Sequence, residues 1–472
     1  MKKIRNLSMR LSSWTHLFCE KGRGHIALYH SLNMELVFLR KKYLQVVELL
    51  HLGTTTEHLH QKFPMFSKEM VRVIKELWRT GMIVAVESDD VKLLEEKRRI
   101  HVLPPGLETL YLIVTDSCNL RCRYCFINNN MPEGYRPSMM SFRVAKEAID
   151  MFFRNLSLNP PEYTGLKKTI FFYGGEPFLN FTLIKQSVEY IESAYKNEVV
   201  ALGPKLRLAI VSNGTMITEE ISRFIGAHDN IDIAISIDGP KKIHDTERIC
   251  VGGCGSFNKA IRGVKLLKGV GGKKDVSLST TVGEHNIDNL PSLLKLHRRY
   301  GFASINLNPL VDTANNTVSL EYMQRVSKRM IEYFKLARKE GVYEDRIMRK
   351  AKSFMEKRIH AYDCQALGAQ LVCTPDGHLG VCHEGIGAKQ FFFAKVSKNF
   401  DFHHNPVISE WKRRTPLNMP QCFGCPALGI CGGGCAYGSW LRNGSIWSVD
   451  DRFCIHSLAT LKWLIWDLYK RV

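Results

Sequence analysis

Residues 111–125 read YLIVTDSCNLRCRYC, an apolar run followed by three closely spaced cysteines, Cys118, Cys122 and Cys125. The run predicts a buried β-strand, and the cysteines predict a loop at its carboxyl end. Three thiolates at these offsets can bind one four-iron cluster and leave its fourth iron without a protein ligand. Zinc is the alternative, but three ligands in one tight loop with no nearby histidine make a poor structural zinc site.

Five further apolar runs follow this strand and alternate with helical patterns such as 142–153 and 183–195. They lie at residues 169–172, 208–211, 231–235, 276–279 and 305–307. Strands that alternate with helices pair in parallel, so the sequence predicts an α/β fold in which six units form a partial (β/α)6 barrel. Active sites of such barrels lie at the carboxyl ends of the strands.

The segments on either side of the barrel have different patterns. Residues 1–95 show two short strands, three helices and a closing strand, which describe a winged-helix-like unit. A charged stretch, 87–99, and Pro104-Pro105-Gly106 predict a linker. We therefore expect three domains: residues 1–95, the barrel at 105–315, and linker helices with a cysteine-rich domain at 316–472.

Composition limits the class of protein further. The chain has 472 residues, 45% of them hydrophobic, with 14 cysteines and a formal net charge of +20. No apolar run is long enough to span a membrane, and we interpret the protein as cytoplasmic. Cytosolic cysteines at short spacings are more often metal ligands than disulfides, and part of the positive charge can neutralise anionic clusters.

The cysteine loop, with an aromatic residue before its last cysteine, resembles that of the radical S-adenosylmethionine (radical SAM) superfamily. Later segments extend the resemblance, which implies one [4Fe-4S] cluster on Cys118, Cys122 and Cys125 and a 5′-deoxyadenosyl radical made from S-adenosylmethionine. The positions implied as contacts for S-adenosylmethionine are Gly174, Gly175, Glu176, Pro177, Ser212, Asn213, Ser236 and Arg248. At the adenine end, Leu307 is predicted from its strand position alone.

The rear cysteines resemble the SPASM extension of radical SAM enzymes, which holds two auxiliary [4Fe-4S] clusters. The resemblance implies Cys364, Cys382 and Cys435 on the first cluster, and Cys422, Cys425, Cys431 and Cys454 on the second. Two readings stay open for Cys373: it completes the first cluster, or it is a buried free thiol while that cluster keeps an open iron. A pair of zinc knuckles is the alternative for the whole region.

This resemblance predicts a maturase that installs a thioether or other side-chain crosslink in a ribosomal precursor peptide. The front unit resembles a module that binds a leader peptide as an added strand. A one-electron reductant such as flavodoxin or ferredoxin is implied, with no nucleic-acid or membrane partner.

Two alternative functions are a sulfatase-maturing enzyme and a nucleic-acid-binding protein. Anaerobic sulfatase-maturing enzymes usually have an aspartate base after the cysteine equivalent to Cys382, whereas this sequence has His383 and Glu384. These two are the candidate catalytic bases, or neighbours that orient a cluster. A basic, zinc-containing, winged-helix protein that binds nucleic acid would explain the charge but not the first cysteine loop.

Overall fold

The computed structural model describes residues 8–64, 67–270, 274–313 and 317–471. Its strands are β1 (Ser8–Leu11), β2 (Thr15–Cys19), β3 (His25–His30), β4 (Glu35–Arg40), β5 (Thr54–Thr55), β6 (Ile83–Ala85), β7 (Thr109–Thr115), β8 (Lys168–Gly174), β9 (Leu206–Ser212), β10 (Ile231–Ser236), β11 (Val276–Val282), β12 (Ile305–Pro309), β13 (Gln370–Cys373), β14 (His378–Gly380) and β15 (Phe392–Lys395).

The α-helices alternate with the barrel strands and dominate the later part of the chain. They are α1 (Leu44–Leu52), α2 (Thr56–Lys62), α3 (Ser67–Arg79), α4 (Asp90–His101), α5 (Phe126–Asn130), α6 (Phe142–Ser157), α7 (Phe181–Ala194), α8 (Lys196–Leu202), α9 (Glu219–Gly226), α10 (Lys241–Glu247), α11 (Phe257–Gly269), α12 (Ser292–Tyr300), α13 (Leu320–Lys339), α14 (Asp345–Glu356), α15 (Pro406–Arg413), α16 (Leu428–Cys431), α17 (Ala436–Asn443) and α18 (Asp451–Tyr469).

The central sheet confirms the predicted α/β architecture. Its order is β12-β11-β10-β9-β8-β7-β13-β14-β15, and neighbouring strands from β7 to β12 pair in parallel. Side chains along β10 and β11 alternate between fully buried and half-buried. The fully buried positions pack in the main apolar core with residues of the surrounding helices, and the half-buried positions face the barrel interior.

The rear of the chain adds to this sheet in a way that the sequence did not suggest. Strand β13 pairs in parallel with β7, with Val372 opposite Tyr111, and β14 and β15 continue the sheet in antiparallel fashion. The strand that leads into the first cysteine loop therefore lies between the barrel and the cysteine-rich segment.

The front of the chain has two small sheets, β5-β1-β6 and β2-β3-β4, with α1 to α3 between β4 and β6. The stretch interpreted as a linker contains a helix, α4, whose first turn is capped by the Asp89 side chain. One apolar cluster joins β3 to the last helix, α18, through residues such as Tyr29 and Leu461. The boundaries of the three domains stay predictions.

In the described part of the chain, none of the helices is long and apolar enough to cross a membrane.

Candidate functional site

The three-cysteine loop lies at the carboxyl end of β7, and backbone hydrogen bonds fix its shape. The Arg121 amide donates to the Ile249 carbonyl oxygen at 2.7 Å, and the Arg123 amide donates to the Glu247 carbonyl oxygen at 3.2 Å. The loop thus pairs with the segment that follows α10, although 126 residues separate Cys122 from Arg248 in the sequence.

Hydrogen-bond donors approach two of the three sulfur atoms. The Asn213 side-chain amide lies 3.8 Å from Cys118 Sγ, and Arg248 Nη1 lies 4.0 Å from Cys122 Sγ. Burial raises the pKa of the Cys118 thiol to about 12 and that of Cys122 to about 11. These thiols therefore need a cationic partner to ionise at neutral pH, and the iron of a cluster supplies that charge.

Glycine is required where β8 meets this loop. A Cβ on Gly174, whose φ is +136°, would lie 1.9 Å from the Thr115 carbonyl oxygen, and a Cβ on Gly175 would lie 2.1 Å from that of Ser117. Pro177 follows in a buried turn of 3-10 helix, Pro177–Asn180. The glycine-rich turn is therefore packed directly against the backbone that precedes Cys118.

Glu176 points into the protein and is fully buried. Its carboxylate accepts hydrogen bonds from the Ser212 hydroxyl and the Asn213 amide, each at 2.8 Å. Burial raises the pKa of Glu176 to about 7, against the effect of these hydrogen bonds. The structure thus brings the predicted residues Glu176, Ser212 and Asn213 together, with the carboxylate joining the ends of β8 and β9.

Arg248 is held by a buried carboxylate, that of Asp238, which the sequence analysis did not single out. Arg248 Nε donates to Asp238 at 3.0 Å, and the Tyr124 hydroxyl donates to the same oxygen. Although burial opposes ionisation, Arg248 and His285 hold the pKa of Asp238 well below its ordinary value. Asp238 thereby connects the arginine beside Cys122 with the tyrosine beside Cys125.

The last two predicted cofactor positions differ in orientation. Ser236 is half-buried at the carboxyl end of β10, next to the barrel interior. Leu307 is only 1% exposed and belongs to the main apolar core, so its side chain packs toward the helices. The structure places Ser236 at the site and does not bring the Leu307 side chain to it.

Aromatic rings line the interior between the first cysteine loop and the rear cysteines. The His383 ring stacks on Tyr111 at 4.8 Å between centroids, and it meets Tyr173 at 5.5 Å and Phe126 at 6.0 Å. We call Tyr111, Phe126, Tyr173 and His383 the aromatic group. Burial lowers the pKa of His383 to about 4, and its buried Nδ1 has no hydrogen-bond partner within the described residues.

Cys364, Cys382 and Cys435 form the first rear set, beside Glu384. Burial raises the pKa of Cys382, and Glu384, Cys435 and Cys364 raise it further, which shows that these groups are neighbours. Cys435 Sγ lies 4.0 Å from the Glu384 carboxylate. Burial also raises the pKa of Glu384 to about 7.

Cys373 lies apart from this set. It is fully buried in the main core, whereas the preceding Val372 packs with Ile113 and Ile386 on the other face of β13. After burial, the charges that raise the pKa of its thiol are those of Asp376 and Glu147. Of the two readings left open by the sequence, this position favours a buried free thiol.

Cys422, Cys425, Cys431 and Cys454 form the second rear set. Burial, together with the charges of the other three thiols, raises the pKa of Cys454 to about 12. No three metal-ligating side chains in the described ranges lie close enough together for a single metal ion. A four-iron cluster is a wider core, and its cysteines each bind a different iron.

Arg414 is a functional candidate that the sequence analysis missed. It is fully buried and donates to the Gly433 carbonyl oxygen at 2.8 Å and the Ser439 hydroxyl at 3.0 Å, among other acceptors. Burial lowers its pKa, and thiols of both rear sets act in the opposite direction: Cys435, Cys364, Cys422 and Cys431. A buried guanidinium among thiols fits anionic clusters, which would supply its counter-charge.

No local motif marks Arg414 or the aromatic group, because their partners are far apart in sequence. Its position just after β10, in the stretch Ser236-Ile237-Asp238-Gly239, indicated only weakly that Asp238 is a site residue.

Comparison with known proteins shows similarity to radical SAM enzymes. Residues 112–297 match the family model described as the Radical SAM superfamily. The chain is 21% identical over 454 residues to the radical SAM cyclopropyl synthase TigE of Paramaledivibacter caminithermalis, covering 92% of this chain and 91% of that protein. It is 26% identical over 216 residues to a cysteine-type anaerobic sulfatase-maturating enzyme of Clostridium novyi, covering 45% of this chain and 53% of that protein.

A solved structure shows the same fold over nearly the whole chain. SuiB of Streptococcus suis, bound to precursor peptide SuiA, aligns with a TM-score of 0.53 at 16% identity, over 94% of this chain and 99% of that chain.

Proposed function

We propose that the chain is a radical SAM maturase that crosslinks side chains, for example through a thioether, in a ribosomal precursor peptide. Its residues 112–297 match the family model of the Radical SAM superfamily. The superfamily implies one [4Fe-4S] cluster, for which Cys118, Cys122 and Cys125 would be the ligands, and bound S-adenosylmethionine. When bound, these groups supply a 5′-deoxyadenosyl radical that abstracts a hydrogen atom from the substrate.

The aromatic group is the observation that carries this proposal. After burial, the charges of Cys125 and Glu384 raise the pKa of Tyr173, so this ring is near both the first loop and the rear set. Tyr111 is likewise affected by Cys364 and Cys382. A substrate that lies on these rings would have the radical on one side and the first rear set on the other, with water excluded by the aromatic surface.

We assign the rear sets to two auxiliary clusters. Cys364, Cys382 and Cys435 would hold the first and leave one iron open, because Cys373 faces away. An open iron can bind a substrate thiolate, which is the group that a thioether needs. Cys422, Cys425, Cys431 and Cys454 would hold the second, and Arg414 would balance the charge of both.

The turn Gly174-Gly175-Glu176-Pro177, with Ser212 and Asn213, would bind the methionine end of S-adenosylmethionine. Ser236 and Arg248 would bind its ribose and carboxylate, and the backbone near Leu307 its adenine. Arg248 is well suited to a carboxylate because Asp238 accepts a hydrogen bond from its Nε and so fixes its guanidinium.

Glu384 is the better of the two candidate bases. A carboxyl group with a pKa near 7 can take a proton from a substrate thiol at neutral pH. His383, with its lowered pKa, stays neutral there and serves to orient the substrate through its free Nδ1.

The front segment would bind the leader of the precursor peptide as an added strand, and a flavodoxin or ferredoxin would supply the electron. We propose that the protein acts in the cytoplasm, where cysteines stay reduced.

The test is anaerobic co-expression with a small peptide encoded beside the gene, followed by intact mass measurement. We expect a loss of two hydrogens per modification, absent with the Cys118→Ala variant. A thioether also consumes one alkylatable thiol of the peptide, whereas a carbon–carbon bond leaves all thiols free. The proposal is contradicted if the Cys118→Ala variant makes the same modification. It is also contradicted if the native enzyme binds iron but does not cleave S-adenosylmethionine.

A sulfatase-type reaction is the second candidate, because of the similarity to the Clostridium novyi enzyme. That similarity covers less than half of this chain, whereas the similarity to TigE also includes the front segment. Formation of an aldehyde on a cysteine-containing sulfatase peptide, detected with a hydrazide reagent, would favour this second function.

A further inference from the structure

Two cysteines outside the three sets lie in a tight hairpin between α10 and α11. Residues Ile249 and Gly255 form an antiparallel bridge, and the Cys250 amide donates to the Cys254 carbonyl oxygen at 2.8 Å. The Gly253 amide donates back to the Cys250 carbonyl oxygen at 2.8 Å, and Gly253 has a φ of +82°. The turn thus places Cys250 and Cys254 directly opposite each other.

The two thiols are within reach of each other. The Cys250 thiol donates to the carbonyl oxygen of Gly255, the residue after Cys254, at 3.8 Å. Burial and then the neighbouring Cys254 raise the pKa of the Cys250 thiol. Residues opposite each other in an antiparallel pair have Cα atoms about 4.5–5.5 Å apart, inside the range of about 4.4–6.8 Å that disulfides use. Space around Gly252 and Gly253 is open, so the turn can adjust as a bond forms.

We propose that Cys250 and Cys254 are a redox-active dithiol that closes to a disulfide by exchange with small-molecule disulfides. This property goes beyond the proposed maturase reaction and does not depend on it. Cytosolic disulfides are usually transient and redox-sensing, and strained or exposed ones are the labile kind.

The exchange runs in two steps, and Cys254 attacks first because it is exposed whereas Cys250 is half-buried. The Cys254 thiolate attacks one sulfur of the small disulfide and releases one small thiolate, which leaves a mixed disulfide. The Cys250 thiolate then attacks the Cys254 sulfur and releases the second. Two electrons pass from the protein to the small disulfide, and the two protons of the protein thiols end on the two released thiols.

Formation of a disulfide in the hairpin should affect the neighbouring first cysteine loop. Residues 249–251 are hydrogen-bonded on one side to residues 254 and 255 and on the other to the first cysteine loop, where the Val251 amide donates to the Asn119 carbonyl oxygen at 3.2 Å. A disulfide across the turn would stiffen the strand that supports this loop. Oxidation should therefore slow the opening of the loop's backbone hydrogen bonds.

The test uses the anaerobically prepared holoenzyme, glutathione disulfide and peptide mapping. Trypsin cleaves after Arg248 and Lys259, so one peptide, ICVGGCGSFNK, carries both cysteines and no others. After acid quenching, alkylation and digestion, we expect this peptide mainly as an unalkylated species that is two hydrogens lighter than the dithiol. Because the second thiol acts at an effective concentration of mM or more, this species should exceed the mixed disulfides about tenfold.

Exposed Cys19 lies in its own tryptic peptide, residues 11–21, and reports that the oxidant has reacted. The Cys250→Ser variant should accumulate the mixed disulfide on Cys254, and the double Ser variant should keep the iron content of the native chain. The proposal is overturned if the native peptide stays a dithiol, or carries only mixed disulfides, while Cys19 has reacted. Equal hydrogen exchange of residues 119–123 in reduced and oxidised enzyme would contradict the link to the loop.

Discussion

The contact between β8 and the first cysteine loop makes a sharp prediction for Gly175→Ala. A Cβ at this position would lie 2.1 Å from the Ser117 carbonyl oxygen and 2.5 Å from its carbon, both backbone atoms. Real Cβ atoms essentially never approach closer than 3.0 Å, so one of the two backbones must move by about 0.9 Å. The residue after Ser117 is Cys118, so the movement reaches the proposed cluster ligand directly.

Two measurements check the Gly175→Ala prediction. A misplacement of about 1 Å near reacting groups can reduce a rate about 100-fold, and we expect that loss in S-adenosylmethionine cleavage. Anaerobic reconstitution should yield about four fewer irons per chain, the content of one cluster, because the rear sets are not touched. Iron content thus separates a local effect from a failure to fold, which would remove all the clusters.

Gly252→Ala is the matched control, because a Cβ there meets nothing within 4 Å although the residue lies in the hairpin next to the same loop. This variant should keep native iron content and cleavage. If Gly175→Ala also keeps both, the close contact does not position the loop and the reasoning is wrong.

Three further predictions follow from buried groups. Cys373→Ala should keep the iron content of the native chain, whereas Cys382→Ala should lose one cluster; equal losses would return Cys373 to the first auxiliary set. Arg414→Met should lower stability toward denaturant by about 3–5 kcal/mol, since it leaves buried acceptors and thiolates unpaired; a change below about 1 kcal/mol would show that the guanidinium is not needed there. Burial raises the pKa of Glu176 from its ordinary value of 4.5 to about 7, so its neutral form stabilises the fold below pH 4.5 and this contribution is lost as the pH rises through 7. The melting temperature of the native chain should therefore fall more between pH 5.5 and 8.5 than that of Glu176→Gln, and parallel profiles would refute this.

The sequence predicted those parts of the fold and site that depend on local pattern. The six barrel strands are short apolar runs between helices, and the structure pairs them in chain order because parallel strands with helical connections form neighbours. The glycine turn and the first cysteine loop follow β8 and β7 directly, so strand order alone brings them together.

The rest depends on contacts between distant segments. The sequence of residues 370–373 does not predict their pairing with β7, because a short apolar strand fits many sheet edges. The orientation of Cys373 follows from that pairing, since a shift of one residue would turn its side chain to the other face. The aromatic group exists only because Tyr111 and His383 meet through the same pairing.

The last helix that the structure describes, α18, packs against the front sheet β2-β3-β4. It carries Cys454 near its start, and near its end Trp466 and Tyr469 pack on Phe38 of β4, with the Arg23 guanidinium 4.7 Å from the Trp466 ring centroid. During synthesis the front sheet is made first, yet one of its faces stays uncovered until the final helix has left the ribosome. Until then, that face leaves apolar side chains such as Phe38 without the rings of Trp466 and Tyr469. The same helix links the front segment, proposed here to bind the leader peptide, to Cys454, a proposed ligand of the second auxiliary cluster. We therefore expect iron loading of the second rear set to affect the stability of the front segment.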